Sequence, residues 1–71
     1  MDLRRLPERN AHGNYWFGDP GGVAPAILAA KGGGYLVSLG SRGMVWDGGR
    51  LMIFPTPVDA LKELRRRMGV K

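Results

Sequence analysis

Apolar residues in this chain come in short runs punctuated by glycine, and two periods stand out: alternation in the middle of the chain and helical spacing at its end. Tyr35, Val37 and Leu39 alternate with Leu36 and Ser38, which predicts a strand. Gly40-Ser41-Arg42-Gly43 then reads as a turn and Met44-Val45-Trp46 as a second short strand. Asp47-Gly48-Gly49 is a hairpin signal, because Asp-Gly accepts the positive φ angles of a type I′ turn. Arg50 to Phe54 is the return strand, with Leu51 and Ile53 on one face and Met52 and Phe54 on the other. A strand apolar on both faces needs two covers: a helix on one side, and a partner or the N-terminal segment on the other.

The covering helix follows at once. Thr56 suits the N-cap, Pro57 the first helical position, and Asp59 the third, where its charge favours the positive end of the helix dipole. Thr56-Pro57-Val58-Asp59 is thus an acidic variant of the capping box. Val58, Leu61, Leu64 and Met68 recur at three- and four-residue spacing and predict one apolar stripe, and Gly69 is a natural stop.

The first half is less regular. Residues 1–14 are polar, with Pro7, Asn10, Gly13 and Asn14 and no clear period, and read as an N-terminal arm that is mobile unless docked. Tyr15-Trp16-Phe17 has high β-propensity, and Asp19-Pro20-Gly21-Gly22 ends it as a turn. Residues 23–31 fit a short helix with Pro25 at its first position, Lys31 in its last turn and Gly32 just beyond. Ala24 is a poor N-cap, and a short strand is the alternative. The expected fold is therefore α+β: a single small domain over residues 15–71, with an antiparallel sheet of three to four strands and a C-terminal helix packed on one face.

Composition narrows the rest. A 71-residue chain is one domain with a marginal core. With no Cys and one His, neither a disulfide nor a structural zinc site can staple it. Good packing or a partner subunit remains, so a homodimer is one expectation. No run approaches the roughly 20 apolar residues of a membrane span. The start, Met1-Asp2-Leu3-Arg4-Arg5, lacks the apolar core of a signal peptide, which together with the absence of Cys suggests a cytoplasmic protein away from membranes.

Catalytic chemistry is poorly supplied. A nucleophile–base pair would have to draw His12, in the polar arm, to Ser38, Ser41 or Thr56. Asp19 and Asp47 belong to turns, Asp59 to the helix cap, and Glu63 precedes Arg67 by four residues, the spacing of an intrahelical pair. No carboxylate is left that demands a catalytic or metal role, and Gly32-Gly33-Gly34 matches no dinucleotide or P-loop fingerprint. Gly40-Ser41-Arg42-Gly43 resembles the GxxG loop that clamps nucleic-acid backbone in KH modules, though that loop joins helices and this one is expected to join strands. The expectation is a non-enzymatic protein with no cofactor.

Charge is the sharpest signal. The chain carries a net +5, and residues 61–71 alone hold Lys62, Arg65, Arg66, Arg67 and Lys71 against Glu63. Residues 1–10 add a surplus of one, and residues 11–60 balance. On a helix, Arg65, Lys62 and Arg66 form one ribbon beside the apolar stripe. Such a ribbon has three readings: cations favoured by the helix C-terminus and by solubility, contact with phosphates, or contact with an acidic protein surface. Trp46, at a hairpin end with Arg42 and Arg50 nearby in sequence, is either core or a stacking or anchoring point.

The stretch from Tyr35 to Arg67, under half of the chain, resembles the AP2-like and integrase arm-type DNA-binding modules. The matching pattern is Phe54 at a strand end, then Thr56, then Ala60 and Leu64 in the helix. The resemblance implies three antiparallel strands followed by a helix, with the sheet lying in the DNA major groove; here the sheet offers Arg42 and Arg50. In general style the chain is also similar to small phage and mobile-element proteins that block a host enzyme or defence complex. The leading expectation is a nucleic-acid-binding accessory or regulatory protein acting through Lys62, Arg65, Arg66 and Arg67, helped by Arg42, Arg50 and Trp46. The alternative is a phage-type inhibitor whose basic helix meets an acidic protein surface.

Overall fold

The computed structural model describes residues 2–70 and orders them as β1 (Tyr15–Trp16), β2 (Ala26–Ala29), β3 (Tyr35–Ser38), a 3₁₀ turn (Gly40–Arg42), β4 (Trp46–Asp47), β5 (Arg50–Leu51) and α1 (Pro57–Met68). Strands β1, β2 and β3 form one antiparallel sheet in that order, and β4 and β5 a separate hairpin. The α+β architecture with a C-terminal helix on the sheet is as the sequence predicts.

Residues 23–31 correct the helical reading, since their centre is β2. Without an N-cap the segment has no helical start, whereas Gly32-Gly33-Gly34 supplies a tight connection in which Ala30 N–H donates to Gly34 O at 2.9 Å and Gly33 N–H to Ala30 O at 3.1 Å. That connection makes β2 and β3 a hairpin, and β2 becomes the central strand with both backbone edges satisfied. The predicted Asp47-Gly48-Gly49 turn joins β4 to β5 with Gly48 at φ +58° and Gly49 at φ +92°, the two positive angles of a type I′ turn.

The return strand ends sooner than its pattern suggests. After Leu51 the chain leaves β4, and Phe54 turns back to exchange two 2.8 Å hydrogen bonds with Tyr35. Met44 bridges Ser38, and Val45 N–H donates to Val37 O at 3.0 Å. These two pieces together make a broken fourth strand along the free edge of β3. Gly40 enters the 3₁₀ turn at φ +71°, and an added Cβ there would lie 1.9 Å from Val23 O, so the β1–β2 loop closes directly onto it.

Pairing separates the two faces of the sheet. Tyr15, Ile27 and Val37 stand opposite one another across the three strands and face α1. The core joins Ile27, Val37 and Val45 to Ala60, Leu61 and Leu64 of the helix. Each of the Val, Ile and Leu side chains, taken from exposed to buried, contributes about 1.5–3 kcal/mol. Leu3 is buried in the same core and Leu6 packs against it, so the polar arm is docked along its length by an apolar pair. The outer face presents Trp16, Ala26 and Ser38 in one row and Leu28 opposite Leu36 in the next, with Met44 opposite Ser38.

The helix stripe holds at Leu61, Leu64 and Met68, and Ala60 takes the place expected of Val58. Ala60, Leu61 and Leu64 are buried and Met68 packs against the core, but Val58 is 51% exposed. At about 100° per residue the buried arc from Ala60 through Leu64 to Leu61 is about 100° wide, and Val58 falls about 60° outside it.

Candidate nucleic-acid interface

Helix α1 positions most of the candidate cations, and its ends explain why it is stable enough to do so. Thr56 Oγ1 accepts from Asp59 N–H at 3.1 Å and donates to Asp59 Oδ2 at 3.1 Å, and Pro57 opens the first turn. At the far end Val70 N–H donates to Arg65 O at 2.9 Å across Gly69, a Schellman closure that draws Val70 onto the core. Between these caps, Arg65, Lys62 and Arg66 lie about 100°, 160° and 200° round from the buried Leu64. Arg67 and Glu63 lie on the other side of the apolar stripe, about 60° and 100° round in the opposite sense.

Glu63 divides the cations. Its carboxylate, only 12% exposed, accepts from Arg66 Nε at 3.0 Å, Arg66 Nη2 at 2.5 Å and Arg67 Nε at 2.6 Å. The Arg66 guanidinium, more than that of Arg67, holds the Glu63 carboxyl below its ordinary ionisation range, and Glu63 in turn holds the Arg66 charge in place. The expected Glu63–Arg67 pair is present, and Arg66 joins it. One carboxylate thus neutralises part of two guanidinium groups.

Lys62 and Arg65 are in no ion pair among the described residues. Lys62 is exposed, and Arg65 is half-buried with Nη1 donating to the Arg4 carbonyl at 3.4 Å. That contact brings the docked arm to the ribbon, so Arg4 and Arg5 join it. Arg4 is paired with Asp2, whose carboxyl is held low by the Arg4 backbone N–H and guanidinium, while Arg5 is exposed without an ion pair among the described residues. The charge count alone missed this pair, although the flanking Leu3 and Leu6 are the apolar signal that the arm docks. Arg42 is also brought to the helix: its Nη1 lies 3.8 Å from Met68 Sδ, in the last turn of α1. Lys71, counted in the basic C-terminal segment, lies outside the described residues.

Trp46 and Arg50 stand apart from this cluster. Trp46 is 56% exposed and faces the same side of the hairpin as Leu51, away from the buried Val45, so the core reading of this side chain is corrected. Arg50 stands opposite Asp47, on the other side of the hairpin from Trp46, and the two form no ion pair among the described residues. The outer sheet face, where the resemblance to sheet-in-groove DNA binders would place the major groove, carries no Lys or Arg on its strands.

No enclosed pocket is present among the described residues, and no three His, Asp or Glu side chains gather there in a metal-binding group. His12 sits exposed in a turn where its backbone N–H donates to Asn10 Oδ1 at 2.9 Å. No helix among these residues is long and apolar enough to cross a membrane. The arrangement is an open cationic surface of Lys62, Arg65 and Arg66 on α1, with the Arg4-Arg5 segment beside Arg65 and Arg42 beside Met68. No protein-family model, curated protein or solved structure matches the chain.

Proposed function

We propose that the protein is a non-enzymatic nucleic-acid-binding module that contacts phosphates through α1 and the docked arm. The observation that carries the reading is the convergence of Lys62 and Arg65 with the Arg4-Arg5 segment at one surface, joined by the Arg65-to-Arg4 hydrogen bond. Sequence-distant cations gathered at one place raise the local potential more than the same charges spread over the surface. Arg66 and Arg42 extend the surface along the helix. Arg67, turned to the opposite flank and held by Glu63, plays a smaller part than its sequence position suggests. Arg50, opposite Asp47 on the β4–β5 hairpin, is left out of the contact.

Phosphate contact has a thermodynamic signature. Four contacts to duplex DNA give a log–log salt slope of about −3.6, so affinity falls roughly 150-fold between 50 and 200 mM salt. Anisotropy titration of a labelled duplex at these two salt concentrations tests the reading. The expected result is binding with a slope between about −3 and −5. Absence of binding at about 50 mM salt overturns it and leaves an acidic protein surface as the partner of the same cations.

A further inference from the structure

The turn that joins β4 to β5 sets an aspartate against an unoccupied amide. A two-residue hairpin turn leaves the N–H groups of its central residues outside the ladder. Gly48 N–H accordingly donates to no backbone oxygen among the described residues. Asp47 is exposed, and none of the carboxylate hydrogen bonds or ion pairs among these residues involves it. No atom beyond the chain neighbours lies within 4 Å of where a Cβ would stand on Gly48 or Gly49, so nothing shields the junction. The other junctions of this kind are each held. Asp2 Oδ1 accepts from Arg4 N–H and Nε, and the next residue, Leu3, is buried. Asp19 precedes Pro20, which has no N–H. Asp59 is bonded to Thr56 Oγ1, and Ala60 N–H donates to Thr56 O at 3.2 Å. Asn10 Oδ1 accepts from the His12 and Asn14 N–H groups at 2.9 Å, and Asn14 Oδ1 from Ala29 N–H at 2.8 Å.

We propose that Asp47 is a modification site, at which the folded chain converts to an isoaspartyl linkage with water as the only co-reactant. Gly48 N forms a bond to Asp47 Cγ and closes a succinimide ring. One carboxyl oxygen departs as water, carrying the Gly48 amide proton and a proton from solvent. Water then adds to either ring carbonyl. Addition at Cγ breaks the new bond and restores Asp47. Addition at the main-chain carbonyl breaks the original peptide bond to Gly48, leaves that carbonyl as a carboxylate, and keeps the chain joined through Cγ. Nothing is oxidised or reduced, and the mass is unchanged. Glycine at both central turn positions lets the loop follow the ring closure without a side chain in the way. The isoaspartyl main chain is longer by one carbon, so the pairs Asp47–Arg50 and Trp46–Leu51 and the Met52-to-Val45 hydrogen bond fall out of step. The Val45-to-Val37 hydrogen bond and the helix-to-sheet core precede or bypass the altered link, so the modification loosens the hairpin and leaves α1 and its cations in place.

The sequence supplies a clean reporter. Trypsin cuts after Arg42 and Arg50 and releases residues 43–50, which contain Asp47 as their sole Asp or Asn and Trp46 as a chromophore. The full chain is incubated at neutral pH and physiological temperature, folded in buffer or unfolded in urea, and then digested. The folded sample is expected to yield a second peak of residues 43–50 with unchanged mass. That peak takes a methyl group from an isoaspartyl carboxyl methyltransferase used as probe, and a transient species lighter by one water precedes it. Isoaspartate at Asn10 and Asn14 is expected to rise only in urea. Asp47→Glu, an exposed substitution that keeps the charge and lengthens the side chain beyond succinimide closure, is expected to lose the second peak while circular dichroism shows the fold retained. A single peak from the folded chain, with two from the chain in urea, overturns the proposal, because the hairpin then protects the junction. So does isoaspartate that accumulates in the folded chain at Asp2, Asp59, Asn10 or Asn14 ahead of Asp47, or a second peak that persists in Asp47→Glu.

Discussion

Replacing Glu63 by Gln separates the charge on α1 from the fold that carries it. In the wild type three hydrogen bonds hold Arg66 and Arg67 to one carboxylate. Gln keeps the size and one acceptor oxygen but removes the charge, so both guanidinium groups are released toward solvent and the net charge rises by one. If Arg66, on the ribbon side, reaches phosphate, the added contact steepens the salt slope by about 0.9 and strengthens binding roughly eightfold at 0.1 M salt relative to its value at 1 M. Glu63→Gln is therefore expected to bind a duplex about eightfold more tightly at that salt, with the steeper slope. The fold should survive, because both arginines keep much of their surface in water and intrahelical ion pairs of this kind contribute modestly, although the half-buried Glu63 carboxylate makes some loss of stability expected. The acid side of the stability profile supplies a control. Because the Glu63 carboxyl is held below its ordinary value of 4.5, its stabilisation is complete above that value and is lost as pH falls through the lower folded-state value. The variant should lack this part of the acid-induced loss. Weaker or unchanged binding by a folded Glu63→Gln protein would refute the idea that these cations are held in reserve by Glu63.

Other expectations concern the scaffold. Leu64→Ala empties the fully buried centre of the helix stripe and is expected to cost about 3 kcal/mol in urea unfolding, a large share of the roughly 7 kcal/mol typical of a domain this size. A loss below about 1 kcal/mol would mean that the helix is not seated as described. Thr56→Ala removes the cap acceptor for Asp59 N–H and is expected to cost about 1 kcal/mol in the same assay, with Thr56→Ser close to neutral. Gly40→Ala forces a Cβ against Val23 O at a positive φ and is expected to cost about 2 kcal/mol or more, visible as a lowered Tm.

The helix was readable because each of its signals is local: cap, proline, stripe and closing glycine all lie between Thr56 and Gly69. The β4–β5 turn was readable for the same reason, since Asp-Gly carries its own backbone geometry. Residues 23–31 were not, because Ala, Ile and Leu in a short run suit a buried strand and a helix equally, and only pairing with β1 and β3 decides between them. The ribbon Arg65–Lys62–Arg66 followed from helical geometry, but the division of charge around Glu63 depends on which rotamers reach it. The approach of Arg4 and Arg5 is a tertiary fact carried by the burial of Leu3. Trp46 resisted assignment because a tryptophan beside a turn has the same sequence signature whether its ring points in or out, and its exposure in the folded chain decides it.

In the proposed function, Lys62 and Arg65 bind phosphate together with the docked arm. It is tested most directly by the salt dependence of duplex binding in the Lys62→Gln/Arg65→Gln double variant, with circular dichroism confirming the fold. Loss of two contacts is expected to flatten the log–log slope by about 1.8 and to weaken binding at low salt by well over tenfold. A folded double variant that binds with the wild-type slope and affinity would contradict the account.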